Sequence, residues 1–424
     1  MTIPDTPLID AATALPAAKP PRIGRLLAFL LPASVGMLAL YNGVQSILIP
    51  GQLEAIDPVN KIGNLAILTT FVAITSMIGI PLGGALSDRT RSRFGRRTPW
   101  IVGTALVSGV LMIAMGFSGN LFVLGTLFTV LWLTANMYQG ALVAVLPDRV
   151  PESRRGWASA LIGLATPIGV LIGVNVAGQF GQVAGYTIIA ALFVVTALVF
   201  VVGAREKSSV DLPVVEKTAR GIGNVGEFLS AFRSRDFSLA FASRFALFLS
   251  YATVSGFLFF TLSDYIGIDQ IPDGDPGKAV ATLLTYTVLG WVVVATVLGW
   301  VADKLDRRKL FVGISAVGLA FTMFVPILMP TWNGMLIYSV LLGVFIGTYF
   351  AVDLALMSLV LPNKLQEGRD LGILNVAVGL PTILSGLIAG GIITFLGGYA
   401  SLYVFGAICA VISGVVVMFI RKVR

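Results

Sequence analysis

Residues 83–100 read GGALSDRTRSRFGRRTPW, and in this stretch one carboxylate, Asp88, is followed by five arginines. The stretch separates two long apolar runs, at residues 62–86 and 99–118. An apolar run of about 20 residues is long enough to cross a bilayer as a helix. The stretch therefore predicts two membrane-spanning helices that are joined by a short basic loop.

The same arrangement recurs 215 residues later in the chain. Asp303 also ends an apolar run, follows a glycine by four residues and precedes an arginine pair. The other positions that recur at this spacing are Gly84 and Gly299, Pro147 and Pro362, and Glu152 and Glu367. Four registered pairs of different residue types favour a duplication over chance. Two halves in parallel orientation are the architecture of one class of transporters, which binds substrate between the halves near the membrane midplane.

The composition agrees with a membrane protein. Of the 424 residues, 56% are hydrophobic and only 12% are charged, whereas about 25% are charged in a typical soluble protein. These values exclude a soluble enzyme, a disulfide-stapled secreted domain and a disordered chain. The runs long enough to span a bilayer are residues 25–50, 62–86, 99–118, 120–146, 156–180, 184–204, 236–262, 278–302, 310–330, 332–360, 369–395 and 397–421. We predict an all-α membrane protein with twelve transmembrane helices in two parallel six-helix pseudo-repeats.

The basic residues indicate the orientation. Nearly all of the 29 lysines and arginines fall on the cytoplasmic side if both termini are cytoplasmic, as the positive-inside rule requires. The net charge of +8 is then a topology signal and a contact for anionic membrane lipids, and we expect no nucleic-acid partner. The predicted parts are a cytoplasmic tail at 1–24, a six-helix bundle at 25–204, a cytoplasmic linker at 205–235 and a second six-helix bundle at 236–424. We expect a multi-pass monomer in the plasma (inner) membrane.

Residues 83–100 resemble the loop 2–3 signature of the major facilitator superfamily. Their Asp-Arg-Thr-x-Ser-Arg-x-Gly-Arg-x-x-Pro form is similar to that of the glycoside–pentoside–hexuronide and sucrose-transporter branch, as is the stretch from Asn136 to Ser159. The resemblance implies alternating access, with Asp88 as a latch that faces the positive end of a helix in the other half and closes the cytoplasmic side. The alternative is that the arginines only anchor the loop to lipid. The candidate gating residues are Asp88, Arg89, Arg93, Gly95, Arg96, Arg97, Asp148, Glu152 and Asp303.

Two features of that branch are missing. The sucrose type has an acid in helix 4, but residues 132–136 contain none. The melibiose type has acids in helix 2, where this chain offers the hydroxyl groups of Thr69, Thr70, Thr75 and Ser76. The resemblance therefore carries over neither a coupling ion nor sucrose itself.

Two ionisable residues lie well inside predicted spans, Arg244 in 236–262 and Asp353 in 332–360. A charge within a bilayer is costly, so each is a candidate functional group. Both lie roughly 12–14 Å from the cytoplasmic edge at ~1.5 Å of rise per residue, and we expect them to pair. The pair is either a proton switch that frees Arg244 for substrate or a static brace. Because an adjacent arginine favours the charged carboxylate, a switch requires the pair to separate during the cycle.

Neutral polar side chains supply the rest of the candidate binding surface. Amides and aromatic rings suit the hydroxyls and apolar faces of a sugar, and they equally suit hydrogen bonds between helices. The candidate substrate or coupling-ion residues are Asp353, Arg244, Tyr41, Asn42, Gln45, Asn136, Tyr138, Gln139, Tyr251, Tyr349 and Asn375. The acids near the opposite membrane edge are expected to form a solvated rim, with Glu54 reaching the vestibule: Glu54, Asp57, Asp264, Asp269, Asp273 and Asp275.

The leading interpretation is a secondary active transporter of a small polar solute, a sugar or related polyol, by cation-coupled symport with the proton as the expected ion. One alternative is an efflux antiporter for amphipathic compounds, which the missing coupling acids favour. Another is a transporter-like receptor or lipid-binding scaffold, against which Asp88 and the intact repeat argue. The sequence has no nucleotide-binding loop, metal cluster or nucleophile–base pair, so we expect no enzyme, no catalytic residues, no cofactor and no metal site.

Overall fold

A computed structural model describes residues 23–210, 231–305, 308–360 and 367–420. Twelve helices in these ranges are long and apolar enough to cross a membrane. They are α1 Ile23–Ile56, α2 Lys61–Arg89, α3 Thr98–Gly116, α4 Leu121–Arg149, α5 Glu152–Gln179, α6 Gln182–Gly203, α7 Arg235–Ser255, α8 Pro276–Leu305, α9 Arg308–Leu328, α10 Trp332–Leu359, α11 Glu367–Phe395 and α12 Gly398–Met418. No strand occurs in the described ranges. The prediction of an all-α protein with twelve membrane helices is confirmed.

Several helices are interrupted where the backbone hydrogen-bond ladder is broken. A π-turn at Val44–Leu48 precedes Pro50 in α1, because proline has no N–H to donate. A turn at Leu164 interrupts α5 just before Pro167. The predicted run 236–262 is shorter as a helix, since α7 ends at Ser255 and gives way to short helical turns.

The two halves use equivalent helix pairs. In the first half α1 packs against α5 and α6, α2 against α4, and α3 against α6. Six helices later, α7 packs against α11 and α12, α8 against α10, and α9 against α12. The same pairing at an offset of six is what a duplicated six-helix unit in parallel orientation produces.

Glycines allow α2 and α4 to approach closely. A Cβ atom at Gly83 would collide with the backbone of Met137, and one at Gly140 would collide with the carbonyl oxygen of Ile80. Lipid supplies no hydrophobic force between membrane helices, so small residues that permit close packing matter for their association. The glycine contacts therefore fix the distance between the helix that ends at Arg89 and the helix that ends at Arg149.

The halves contact each other at one end of the bundle. We call the end that carries residues 88–97 and 148–155 the basic end, and the opposite end, at residue 61, the Lys61 end. Near the Lys61 end, Gly178 of α5 lies against Gly277 of α8. In the same region Gly386 of α11 lies against Thr69 of α2. These two helix pairs, α5 with α8 and α2 with α11, join the halves.

The halves separate toward the basic end. Asn175 Nδ2 of α5 donates to Thr285 Oγ1 of α8 at 3.0 Å. The stripe of α5 residues on the same helix face as Asn175 continues toward the basic end with Ile168 and Leu164. Ile168 and Leu164 are 40% and 51% exposed. On α8 the stripe after Thr285 continues to Leu289, which is 49% exposed. Contact between the two stripes is thus lost toward the basic end, and the space between the halves opens there.

We predict that Gly140→Ala lowers the melting temperature of the purified protein in detergent, because the new methyl group collides with the α2 backbone. Gly103→Ala is the matched control, since nothing lies within 4 Å of a Cβ at this helical glycine. Differential scanning fluorimetry compares the two variants with the wild type. Equal melting temperatures for all three proteins would contradict the close approach of α2 and α4.

Candidate functional site

A buried ion pair joins α7 and α10 in the second half. Arg244 Nη2 lies 3.0 Å from Asp353 Oδ2, and the side chains are 7% and 3% exposed. The Arg244 guanidinium also lies 5.8 Å from the centre of the Phe248 ring. The structure thus brings together the two charges that the sequence places at matching depth.

The pair retains unused hydrogen-bonding capacity. Arg244 Nε, Asp353 Oδ1 and Tyr349 Oη have no hydrogen-bond partner within the described part of the chain. Tyr349 precedes Asp353 by one helical turn on α10. A buried polar atom without a partner costs about 1–3 kcal/mol. The arrangement therefore offers donors and an acceptor to a ligand or a proton at a place where burial makes such contacts favourable.

A polar and aromatic surface lies between α1 and α4 in the first half. Tyr41 Oη donates to Gln139 Oε1 at 3.1 Å, and the Tyr41 and Trp132 ring centres are 5.2 Å apart. Asn42 and Gln45 on the same helix are half-buried, like Tyr41 and Gln139. These amide and hydroxyl groups are partly accessible, and Asn42 Nδ2 donates to Leu38 O at 2.8 Å.

The remaining candidates have different surroundings. Asn136 Nδ2 donates to Ser76 Oγ at 3.2 Å, and Tyr138 Oη donates to Ala33 O at 3.4 Å. Both side chains are buried in contacts between helices of the first half, so we leave them out of the proposed binding surface. Tyr251 on α7 is half-buried and Asn375 on α11 is exposed.

At the basic end, Arg97 links the loop between α2 and α3 to α4. Arg97 Nη2 lies 2.5 Å from Asp88 Oδ1 and 3.0 Å from Asp148 Oδ2. Arg96 Nη2 lies 2.6 Å from Asp148 Oδ1, and Arg97 Nη1 donates to Ser87 Oγ at 2.5 Å. The Arg97 side chain is 5% exposed, so it is a buried hub of this loop rather than a lipid anchor.

Glu206, which no sequence motif marks, completes the loop. Its Oε2 atom accepts hydrogen bonds from the backbone N–H groups of Arg97 and Thr98, at 2.9 and 3.1 Å. The carboxylate thus caps the N-terminus of α3, where unpaired N–H groups attract negative charge. Gly95 has φ +94°, and a Cβ there would collide with the Glu206 carboxylate. Glycine at 95 is therefore required twice, by backbone conformation and by the close approach of Glu206.

The other gating candidates make fewer contacts. The Arg93 guanidinium lies 4.9 Å from the centre of the Phe94 ring, and Glu152 pairs with Arg155 at 3.4 Å on the α5 surface. Arg89 is exposed at the end of α2. Asp303 lies in α8, but its side chain is outside what the structure describes.

A second charged cluster joins the halves at the Lys61 end. Lys61 Nζ lies 2.6 Å from both Glu54 Oε1 and Asp264 Oδ1. Tyr399 Oη donates to Asp264 Oδ2 at 2.7 Å, and Lys61 Nζ lies 5.1 Å from the centre of the Phe260 ring. Because Lys61 and Glu54 belong to the first half and the other three to the second, the cluster is a direct link between halves. Glu54 and Asp264 thus differ from the solvated rim that we expected.

The other acids at this end have local partners. The backbone N–H and side-chain amide of Asn60 donate to Asp57 and hold the pKa of its carboxyl below the usual value. Lys278 Nζ donates a hydrogen bond of 2.8 Å to Asp273 Oδ2, and this bond holds the pKa of the Asp273 carboxyl below its usual value. These acids stay charged at neutral pH and do not join the halves.

The chain also matches known proteins. A family model described as Major Facilitator Superfamily matches residues 26–291 and 276–424. The chain belongs to the major facilitator superfamily. Membership makes it a multi-pass membrane transporter rather than an enzyme and confirms the resemblance of residues 83–100 at the level of the superfamily.

Two curated relatives match parts of the chain. The general alpha-glucoside permease of Schizosaccharomyces pombe is 24% identical over 225 residues, which are 46% of this chain and 40% of the permease. The citrate-proton symporter of Klebsiella pneumoniae is 36% identical over 106 residues, which are 24% of this chain and 23% of the symporter. The chain therefore matches less than half the length of either relative.

Two solved transporter structures match almost the whole chain. A peptide transporter of the POT type, in complex with sulfate, gives a TM-score of 0.71 at 14% identity and covers 92% of this chain and 93% of its own. The nucleoside transporter NupG gives a TM-score of 0.68 at 13% identity and covers 93% of this chain and 98% of its own. At these identities the likeness shows the superfamily fold alone.

We predict that Glu206→Ala speeds hydrogen–deuterium exchange at the backbone amides of Arg97 and Thr98, because both lose their acceptor. The loss of a helix cap costs ~1 kcal/mol, which corresponds to about fivefold faster exchange. Lys207→Ala is the matched control, since Lys207 is the exposed neighbour of Glu206. Exchange that is equally fast in both variants would show that Glu206 does not hold the loop.

Proposed function

We propose that the protein is a secondary active transporter that carries a sugar or related polyol together with protons. The observation that carries the proposal is the buried Arg244–Asp353 pair inside the membrane helices of a superfamily transporter. A carboxylate at that depth can take up and release a proton, and intramembrane acids mark proton and ion pathways. The words "proton symporter" in the name of the Klebsiella pneumoniae relative support this assignment.

The pair supplies the coupling. When Asp353 takes up a proton, its attraction for Arg244 falls, and the guanidinium becomes available to the solute. When the proton leaves, the carboxylate attracts the guanidinium again, and the solute loses that partner. Burial opposes the charged carboxylate while Arg244 favours it, so movement of Arg244 by a bound solute changes the proton affinity of Asp353. Proton and solute therefore affect each other's binding, as linkage requires.

The surface in the first half supplies solute contacts. A sugar presents hydroxyl groups that exchange hydrogen bonds with Gln139, Tyr41 and the amides beside them, and an apolar face that suits the half-buried Tyr41 ring. With Arg244 as a further partner from the second half, the site would contact the solute from both halves, which is what alternating access needs. The alpha-glucoside named for the Schizosaccharomyces pombe permease supports a sugar as the solute.

The two ends supply the gates. The halves touch at the Lys61 end and separate at the basic end. The positive-inside rule places the basic end in the cytoplasm, so we assign this conformation as open to the cytoplasm. Passage to the outward-open state requires the Lys61 cluster to break. The network around Asp88 and Arg97 then lies at the end that closes, and we assign it the latch of that state.

We predict that Asp353→Asn abolishes uphill accumulation in proteoliposomes with an imposed pH gradient, while exchange of solute at equal concentrations continues. One proton per solute supports about tenfold accumulation for each pH unit, and the amide cannot take up that proton. Radiolabelled α-glucosides and polyols serve as solutes. Asp273→Asn, which removes an exposed acid outside the membrane, is the control and should accumulate like the wild type.

Two outcomes would contradict this assignment. Accumulation by Asp353→Asn at the wild-type level would leave Asp353 as a static brace. Absence of uptake together with outward movement of amphipathic compounds would favour the efflux antiporter instead.

We predict that Lys61→Gln opens the Lys61 end, because Glu54 and Asp264 then repel each other across the halves. In a Cys409→Ala background, the substitution Thr285→Cys places a thiol at the contact between α5 and α8, so the labelling rate of that thiol measures how open the contact is. A membrane-impermeant thiol reagent should label it about tenfold faster, which corresponds to ~1.4 kcal/mol.

The matched control is Lys278→Gln, because Lys278 pairs with Asp273 within one half at the same end. Its labelling rate should equal that of the parent protein. If the thiol reagent labels the Lys61→Gln variant at the parent rate as well, the Lys61 cluster does not hold the halves together.

A further inference from the structure

A separate cavity lies at the basic end of the first half, between the start of α1 and the ends of α4 and α6. Its volume is about 690 Å³, and its walls include Arg25, Arg149 and Arg205 together with the apolar side chains of Leu26 and Val202. We call it the arginine pocket. None of these residues belongs to the transport site or to the loop network described above, so the pocket has no assigned role.

Two of the arginines are held in place by the end of α6. Arg149 Nη1 and Nη2 donate to the carbonyl oxygens of Ala204 and Arg205, at 2.6 and 3.1 Å. Arg25 Nε donates to Gly203 O at 3.0 Å. These bonds satisfy helix-end carbonyl groups, but a guanidinium has five N–H donors. Both groups therefore keep donors for a ligand, and their positions are fixed before it arrives.

The charge of the pocket is strongly positive. Three arginines line it, and no acidic side chain does. The carboxylate of Glu206, the next residue in the chain, attracts the Arg149 guanidinium through space but accepts its hydrogen bonds from the Arg97 and Thr98 backbone. The Arg205 side chain is exposed and makes no hydrogen bond or ion pair with the rest of the described chain, since only its backbone carbonyl oxygen accepts a bond from Arg149. Such a site suits an anion with several acceptor oxygens, and planar guanidinium groups match phosphate geometry well.

An apolar strip leads away from the pocket along α6. Val195, Leu198, Val199 and Val202 follow the i, i+3, i+4, i+7 spacing of one helix face, and they are 55%, 40%, 42% and 63% exposed. The strip lies on a membrane-spanning helix and ends at Val202 in the pocket wall. An anion that carries a hydrocarbon chain would use both the arginines and the strip, whereas a free anion would use only the arginines.

We propose that the arginine pocket binds the phosphate group of an anionic phospholipid, whose acyl chain lies along the α6 strip. The lipid bridges α1, α4 and α6 at the basic end, where anionic headgroups meet juxtamembrane arginines. Inorganic phosphate shares the headgroup chemistry but lacks the chain.

The test measures lipid binding to the full chain in detergent micelles by native mass spectrometry. Phosphatidylglycerol should bind the wild type more tightly than phosphatidylcholine does, and inorganic phosphate should not displace it. Arg205→Gln should weaken phosphatidylglycerol binding about fivefold, and Arg25→Gln with Arg205→Gln about 25-fold, since each arginine near an anionic headgroup contributes a factor of about five.

The matched control is Arg154→Gln, which removes an exposed arginine at the same end but outside the pocket; its affinity should stay at the wild-type value. Arg25 also caps α6, so Arg25→Gln could destabilise the fold. The melting temperature of each variant without added lipid therefore checks that it folds. Arg205→Gln removes no intrachain bond and keeps the test valid if the double variant unfolds. Equal affinity in Arg205→Gln and Arg154→Gln, equal binding of the two phospholipids, or displacement by inorganic phosphate would each overturn the proposal.

Discussion

A charge inside a bilayer is tolerated only when another group compensates it, and this constraint organises the whole molecule. Lipid offers neither water nor counterions, so an unpaired charge at membrane depth costs several kcal/mol. The described charges accordingly fall into three places: the basic end, the Lys61 end, and the single pair of Arg244 and Asp353 between them. A pair that is this costly to bury is a natural point for coupling, because any solute or proton that replaces one partner strongly changes the state of the other.

The two ends of the bundle use paired charges differently. At the basic end, Arg97 ties Asp88 to Asp148 within one half, so this network travels with its half as a unit. At the Lys61 end, Lys61 and Asp264 belong to different halves, so their contact exists only while the halves touch. Close glycine contacts pack α2 against α4 within the first half. Two packed halves joined by a breakable ion cluster can rock against each other, which is the motion that alternating access needs.

The sequence predicted the fold because its signals are local or strictly periodic. Apolar runs of fixed length give the helices, and the 215-residue recurrence of Asp88 as Asp303 gives the two halves. It also placed Arg244 and Asp353 at one depth, because depth along a helix follows from residue count. The residue count does not reveal which side chains of different helices and loops lie side by side. Glu206, 109 positions from Arg97 in the chain, falls within the predicted linker at 205–235, and only the packed structure shows that it caps α3.

Infrared difference spectroscopy of the protein in lipid detects proton binding at Asp353 directly. A protonated carboxyl group gives a C=O band that the carboxylate lacks, and solute binding should shift or induce that band in the wild type. If Asp353 carries the coupled proton, the band is missing in Asp353→Asn and retained in Asp273→Asn. A solute-dependent carboxyl band that persists in Asp353→Asn, or a wild type in which no such band changes, would contradict it.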